Sequence, residues 1–95
     1  MNRERLTEEQ IVAALQNLPG WKLIEGSIGK EFTFPDFKAA FAFMEKVAVE
    51  AEHLNHHPNW SNVYNRVEIQ LSTHDAGGVT GADIALAEHI EAIDR

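Results

Sequence analysis

The chain has no cysteine among its 95 residues, only three prolines and one tyrosine, and just eight lysines plus arginines. Each scarcity excludes something. Without thiols there is no disulfide, no thiolate nucleophile and no cysteine-based zinc site. Eight basic residues against 15 acidic ones leave a formal charge of −7. That balance argues against direct nucleic-acid binding and against an anionic membrane surface, because both need a basic face. No apolar run approaches the roughly 18 residues of a transmembrane helix, and Met1–Gln10 lacks the apolar core of a signal peptide. A hydrophobic content of 44% is ordinary for a globular chain and too high for disorder. No linker, repeat or low-complexity tract divides the chain. The expectation is therefore a single cytoplasmic domain over residues 1–95. What the sequence does have is histidine: five, of which three fall within residues 53–57.

The pattern along the chain predicts seven elements. Residues 1–6 read as a frayed end. Thr7-Glu8-Glu9-Gln10 is a capping box, followed by Ile11, Ala14, Leu15 and Leu18 at helical spacing until Pro19-Gly20 stops the run. Trp21–Glu25 alternates with Trp21 and Leu23 on one side, Gly26-Ser27 turns, and Ile28–Phe34 returns with Phe32 and Phe34 on one face. Phe37, Ala40, Phe41, Met44, Val47, Ala48, Ala51 and Leu54 then recur at three and four. They predict a helix over 36–54 whose apolar stripe covers a sheet, with Phe43 off that stripe. Pro58 forces a break at Asn55-His56-His57. Trp60–Tyr64 and Val67–Thr73 read as a hairpin turning at Asn65-Arg66, with Trp60 and Tyr64 packed in it. Val67, Ile69, Leu71 and Thr73 point to one face. Thr80-Gly81-Ala82-Asp83 is a second capping box, opening a helix with Leu86, Ile90 and Ile93. The order α-β-β-α-β-β-α implies an α+β fold: a four-stranded antiparallel sheet with three helices on one face. The uncovered face and exposed edge of so small a sheet favour a homo-oligomer built through strand pairing.

His56 and His57 fall on the loop between helix and strand, and His74 where the last strand runs out. Loops at strand ends are common places for chemistry. Imidazole exchanges protons near neutral pH, so two or three around one ligand can supply an acid and a base together. From spacing alone three readings stay open: capping and solvation, general acid–base work, and metal binding through His53-x₃-His57. Metal is the weakest of these, because there is no HExxH sequence and adjacent rings do not easily face one ion. Gly77-Gly78 and Gly81 lack the lysine of a phosphate loop, and Ser72 near His74 lacks an orienting acid.

Together, Glu52-x₃-His56-His57-Pro58-x₅-Tyr64-x₉-His74-x₈-Asp83 resembles the signature of the pterin-4a-carbinolamine dehydratase family. The likeness extends through Leu18-Pro19-Gly20-Trp21 and the 37–47 helix. The resemblance implies a hydro-lyase that dehydrates 4a-hydroxytetrahydropterin to the quinonoid dihydropterin in tetrahydropterin recycling. It implies no metal and no organic cofactor, the pterin being the substrate. It implies that His56 and His74 are the acid–base pair and that His57 binds and orients substrate. Asn55, Ser72, Thr73 and Asp75 would complete the substrate contacts. Glu52 and Asp83 would stand behind the histidines, Glu52 aligning His56, while Pro58 fixes the exit of the loop. It also implies a homodimer or homotetramer. Two alternatives accompany it: a dimerisation cofactor for a transcription factor, and a pterin-binding role linked to molybdopterin metabolism. His53 and His89 are expected to lie outside the site.

Overall fold

A computed structural model describes residues 3–95. Helix α1 (Glu8–Leu15) leads into strands β1 (Lys22–Ile24) and β2 (Ser27–Thr33). Helix α2 (Phe37–Leu54) crosses to β3 (Asn59–Val63) and β4 (Arg66–Leu71). A 3₁₀ turn (His74–Ala76) then precedes α3 (Gly81–Glu91). The strands form one antiparallel sheet in the order β1-β2-β4-β3, so β2 and β4 are central and β3 is an edge. The expected α-β-β-α-β-β-α order holds. No helix among the described residues is long and apolar enough to cross a membrane.

Local chemistry sets the element ends. Thr7 accepts the Gln10 amide while the Gln10 side chain accepts the Thr7 amide, closing a capping box. Asp36 caps α2 by accepting from the Ala39 amide at 2.8 Å. At the other end Asn55 adopts the left-handed conformation (φ 48°), one of the few residue types that does so readily. Both hairpins turn one residue earlier than expected. Ile24 pairs with Ser27 across Glu25-Gly26, where Gly26 takes φ +76° at no steric cost. Val63 pairs with Arg66 across Tyr64-Asn65. Tyr64 consequently stands exposed at a positive φ of 51° instead of packing in the hairpin.

The core lies between one sheet face and the helices. Ile28, Val67, Ile69 and Leu71 are fully buried beneath Val47, Leu86 and Ile90, whereas Glu31, Arg66 and Glu68 face out. Helix α2 buries Ala40, Val47 and Ala51 of its expected stripe but exchanges Phe37 and Phe41 for Phe43. Its buried residues are Ala40, Phe43, Val47 and Ala51. Phe37 and Phe41 instead sit on the outside, their rings 5.7 Å apart. Both series run at helical spacing. The one containing Phe43 reaches the sheet, where that ring meets Phe32 at 4.8 Å and Phe34 at 5.0 Å. Phe43→Ala should therefore cost about 3–5 kcal/mol. Phe41→Ala should cost less than about 1 kcal/mol. Urea unfolding of the two variants distinguishes the settings.

The N-terminal segment is the second correction. Arg3–Leu6 is docked rather than frayed: the Leu6 amide donates to the Val79 carbonyl at 2.8 Å, and Arg5 forms an antiparallel bridge with Thr80. Met1 and Asn2, part of the same expectation, lie outside the described residues.

Candidate active site

The buried polar side chains identify the site. Among the described residues they are His56, Thr73, Thr80 and Asp83, and all four belong to one hydrogen-bonded network. Asp83, in the first turn of α3, is its hub. Oδ1 lies 2.5 Å from His56 Nε2. Oδ2 accepts from the Thr73 hydroxyl at 2.9 Å and from the Thr80 amide at 2.8 Å. The Thr73 hydroxyl proton being given to Asp83, the Thr80 hydroxyl donates to Thr73 Oγ1 at 2.8 Å while accepting from the Ala82 amide. The His56 ring N–H, the Thr73 hydroxyl and the Thr80 amide thereby all end on the Asp83 carboxylate, whereas the buried indole nitrogen of Trp21, outside this network, has no partner among the described residues.

The His56 ring is held at both nitrogens. Nδ1 stands 2.9 Å from Arg3 Nη1. A guanidinium only donates, so Nδ1 is the acceptor and the ring is the tautomer whose Nε2–H donates to Asp83. Asp83, expected to stand behind the histidines, hydrogen-bonds one of them, His56.

His57 is placed differently. With Asn55 left-handed, the chain leaves the helix sharply and Pro58 keeps it extended. The first imidazole turns inward and the next outward, with side-chain exposures of 8% and 56%. Outside, His57 Nε2 meets Glu52 Oε2 at 2.5 Å. Glu52 therefore aligns His57, not His56 as expected, because His56 has been carried beneath the helix end to α3. The other nitrogen of His57 has no hydrogen-bond partner among the described residues.

His74 opens the 3₁₀ turn, exposed, and its ring also makes no hydrogen bond among the described residues. It follows Thr73 directly. Network and strand alternation thus fix its place: Thr73 is drawn inward to Asp83 and His74 is turned out. Ser72 and Asp75 are exposed beside it, and Asn55 is exposed beside His56. Thr73 is 6% exposed and committed to the interior. Tyr64 is remote from this network in hydrogen bonding. His89 pairs with Glu50 at 2.8 Å on another face, and His53 is exposed on α2. No group of three or more His, Asp or Glu side chains among the described residues is arranged to hold a metal ion.

Sequence reasoning missed Arg3. A single arginine in a polar terminal stretch carries no periodicity or capping signal. Only the docking of residues 3–6 brings it to the loop 53 positions away.

Fold and site define a small α+β domain with a buried His–Asp network flanked by two outward imidazoles. The comparisons name the family. The profile described as pterin 4 alpha carbinolamine dehydratase matches residues 4–93, and the chain belongs to that family. A protein of Rhizorhabdus wittichii, provisionally named a pterin-4-alpha-carbinolamine dehydratase, is 56% identical over 95 residues, covering 98% of each chain. A Rhodopseudomonas palustris protein with the same provisional name is 54% identical over 92 residues, covering 95% of this chain and 91% of its own. The crystal structure of a transcriptional coactivator/pterin dehydratase from Brucella melitensis superposes with a TM-score of 0.90 at 45% identity, over 94% of this chain and 97% of that one. A pterin dehydratase-like protein described as a RuBisCO assembly factor in the alpha-carboxysome shares the fold, with a TM-score of 0.62 at 23% identity over 76% of this chain and 83% of its own.

Proposed function

We propose that this protein is a 4a-hydroxytetrahydropterin dehydratase, a hydro-lyase that works by imidazole acid–base catalysis in tetrahydropterin recycling. Family membership supports the substrate class. The observation that carries the mechanism is that two outward imidazoles, His57 paired with Glu52 and His74 with no hydrogen-bond partner among the described residues, directly follow His56 and Thr73, which Asp83 ties together. In the reaction the N5 proton passes to a base, the C4a–O bond breaks with its electron pair on oxygen, and an acid protonates that oxygen to release water. The product is the quinonoid dihydropterin. No covalent intermediate and no further reactant are needed, and one imidazole on each side of the ring edge suffices.

Occupancy of the rings favours His57 and His74 for the two transfers. The resemblance casts His56 with His74, but both His56 nitrogens are engaged within the protein. His56 serves this reading by anchoring the loop that presents His57. Asn55, Ser72 and Asp75, exposed next to His56 and His74 in the chain, supply polar contacts to the pterin, and Pro58 holds the loop exit. Thr73 acts through Asp83. The pterin is the substrate, and neither metal nor organic cofactor enters this scheme. The test is to generate carbinolamine with an aromatic amino acid hydroxylase and follow quinonoid dihydropterin formation. Acceleration over the unaided dehydration supports the reading, and its absence removes it.

Self-association, as a homodimer or homotetramer, is proposed alongside. It is supported by the edge strand β3, which leaves one side of its backbone unpaired and ends on Val63 and Tyr64, about 60% exposed. Sedimentation should show a dimer or larger species. Val63→Lys should shift it to monomer, whereas dissociation by Phe41→Glu instead would move the interface to the outer face of α2.

A further inference from the structure

We propose that Arg3 is a positioning residue of this site, clamping the His-His loop and closing the open end of the His56–Asp83 chain. The guanidinium has two partners on that loop. Nη1 donates to His56 Nδ1 at 2.9 Å and Nη2 to the Asn55 carbonyl at 3.1 Å. These two acceptors flank the point where α2 ends in a left-handed residue and the chain turns toward His57. The fork geometry of arginine suits two such acceptors, and a lysine ammonium does not span them in the same way.

The arm that carries Arg3 is fastened independently of it. Leu6 bonds the Val79 carbonyl, and Arg5 pairs with Thr80 while its side chain lies over Gly78. A Cβ built at Gly78 would come within 3.1 Å of Arg5 Nε, so this glycine lets the arm lie close. Val79 and Thr80 lead directly into α3, whose first turn holds Asp83. The arm and Asp83 therefore grip His56 from its two sides through one rigid segment. With Arg3 in place, Nδ1 is an acceptor already filled and Nε2–H is a donor already used. The ring is held in one tautomer and one orientation. Arg3 lies outside residues 4–93, the span the family profile matches.

The proposal rests on the dehydratase reading for its kinetic consequence only, and the test keeps the two apart. Nitrogen-15 spectra of the imidazoles in the full chain should show His56 with an unprotonated, hydrogen-bonded Nδ1 and a protonated Nε2. In Arg3→Ala the Nδ1 signal should move while the His89 signals stay, because His89 pairs with Glu50 on another face. In the dehydratase assay Arg3→Ala should lower kcat roughly tenfold, the scale of a modest misplacement of catalytic groups, with KM changed less than about twofold. Arg3→Lys, which keeps one of the two bonds, should recover part of the loss. Circular dichroism should show both variants folded, since Arg3 is exposed. An unchanged His56 spectrum in Arg3→Ala overturns the proposal whatever the activity. A changed spectrum with unchanged kcat overturns it too. If the wild type shows no dehydratase activity, the functional reading fails and the spectrum alone decides the role of Arg3.

Discussion

Replacing His57 by alanine should lower kcat for carbinolamine dehydration on the order of 10²-fold or more, with folding stability unchanged within about 0.5 kcal/mol. The two halves of that expectation come from the same geometry. The ring is more than half exposed, and its one hydrogen bond among the described residues is to Glu52, itself a solvated residue on the last turn of α2. Its removal leaves no cavity and no buried donor without a partner. What is lost is a proton-exchanging group whose free nitrogen faces outward while its other nitrogen is fixed by a carboxylate. Glu52→Ala should fall between wild type and His57→Ala, since it frees the ring without deleting it. His74→Ala should match His57→Ala in size, being the other outward imidazole. Initial rates of quinonoid dihydropterin formation, with thermal melts on the same preparations, check both halves. Wild-type rates in a folded His57→Ala would take that residue out of the chemistry.

Asp83→Ala should show the reverse profile, a loss of about 3 kcal/mol or more in unfolding free energy. Asp83 is wholly buried and accepts from the His56 ring, the Thr73 hydroxyl and the Thr80 amide. Alanine leaves three donors in the interior with no acceptor, and it removes half of the capping box that starts α3. For a domain of this size the melting temperature should fall roughly 15 °C. Asp83→Asn is the informative companion. Its amide cannot accept at both oxygen positions. Turning the NH₂ toward His56 would require the other tautomer, whose Nδ1–H would then oppose the Arg3 guanidinium, donor against donor. Asp83→Asn should therefore remain clearly destabilised, though less than the alanine variant. A melting temperature within a few degrees of wild type in Asp83→Ala would show that the network contributes little to stability.

The sequence was most legible where one residue acts on its immediate neighbours. Both capping boxes, the break before Pro58 and the inward run Val67-Ile69-Leu71-Thr73 are local rules, and each reappears in the structure. It was least legible where two solutions share one local pattern. Helix α2 carries phenylalanines on two stripes, and periodicity does not say which of them the sheet selects. Glu52 lies four residues from His56 and five from His57. Helical spacing favours the first, and only the left-handed Asn55 makes the second the partner. Asp83 was legible as a motif residue, but its pairing with His56 across 27 positions depends on tertiary folding. Arg3 offered no pattern at all, because its role is created by where the arm lies.

The left-handed turn at Asn55 has a consequence for how this molecule can change. It makes two adjacent, chemically identical side chains answerable to different demands. One ring belongs to the interior and is constrained by the hydrogen bonds that hold it there. The other belongs to the surface and, on the proposed reading, is constrained chiefly by what it does to a ligand. Drift at position 56 would register first as loss of protein, and drift at position 57 as loss of turnover. A lineage that gave up the chemistry while keeping the fold could change the second histidine freely and still need the first.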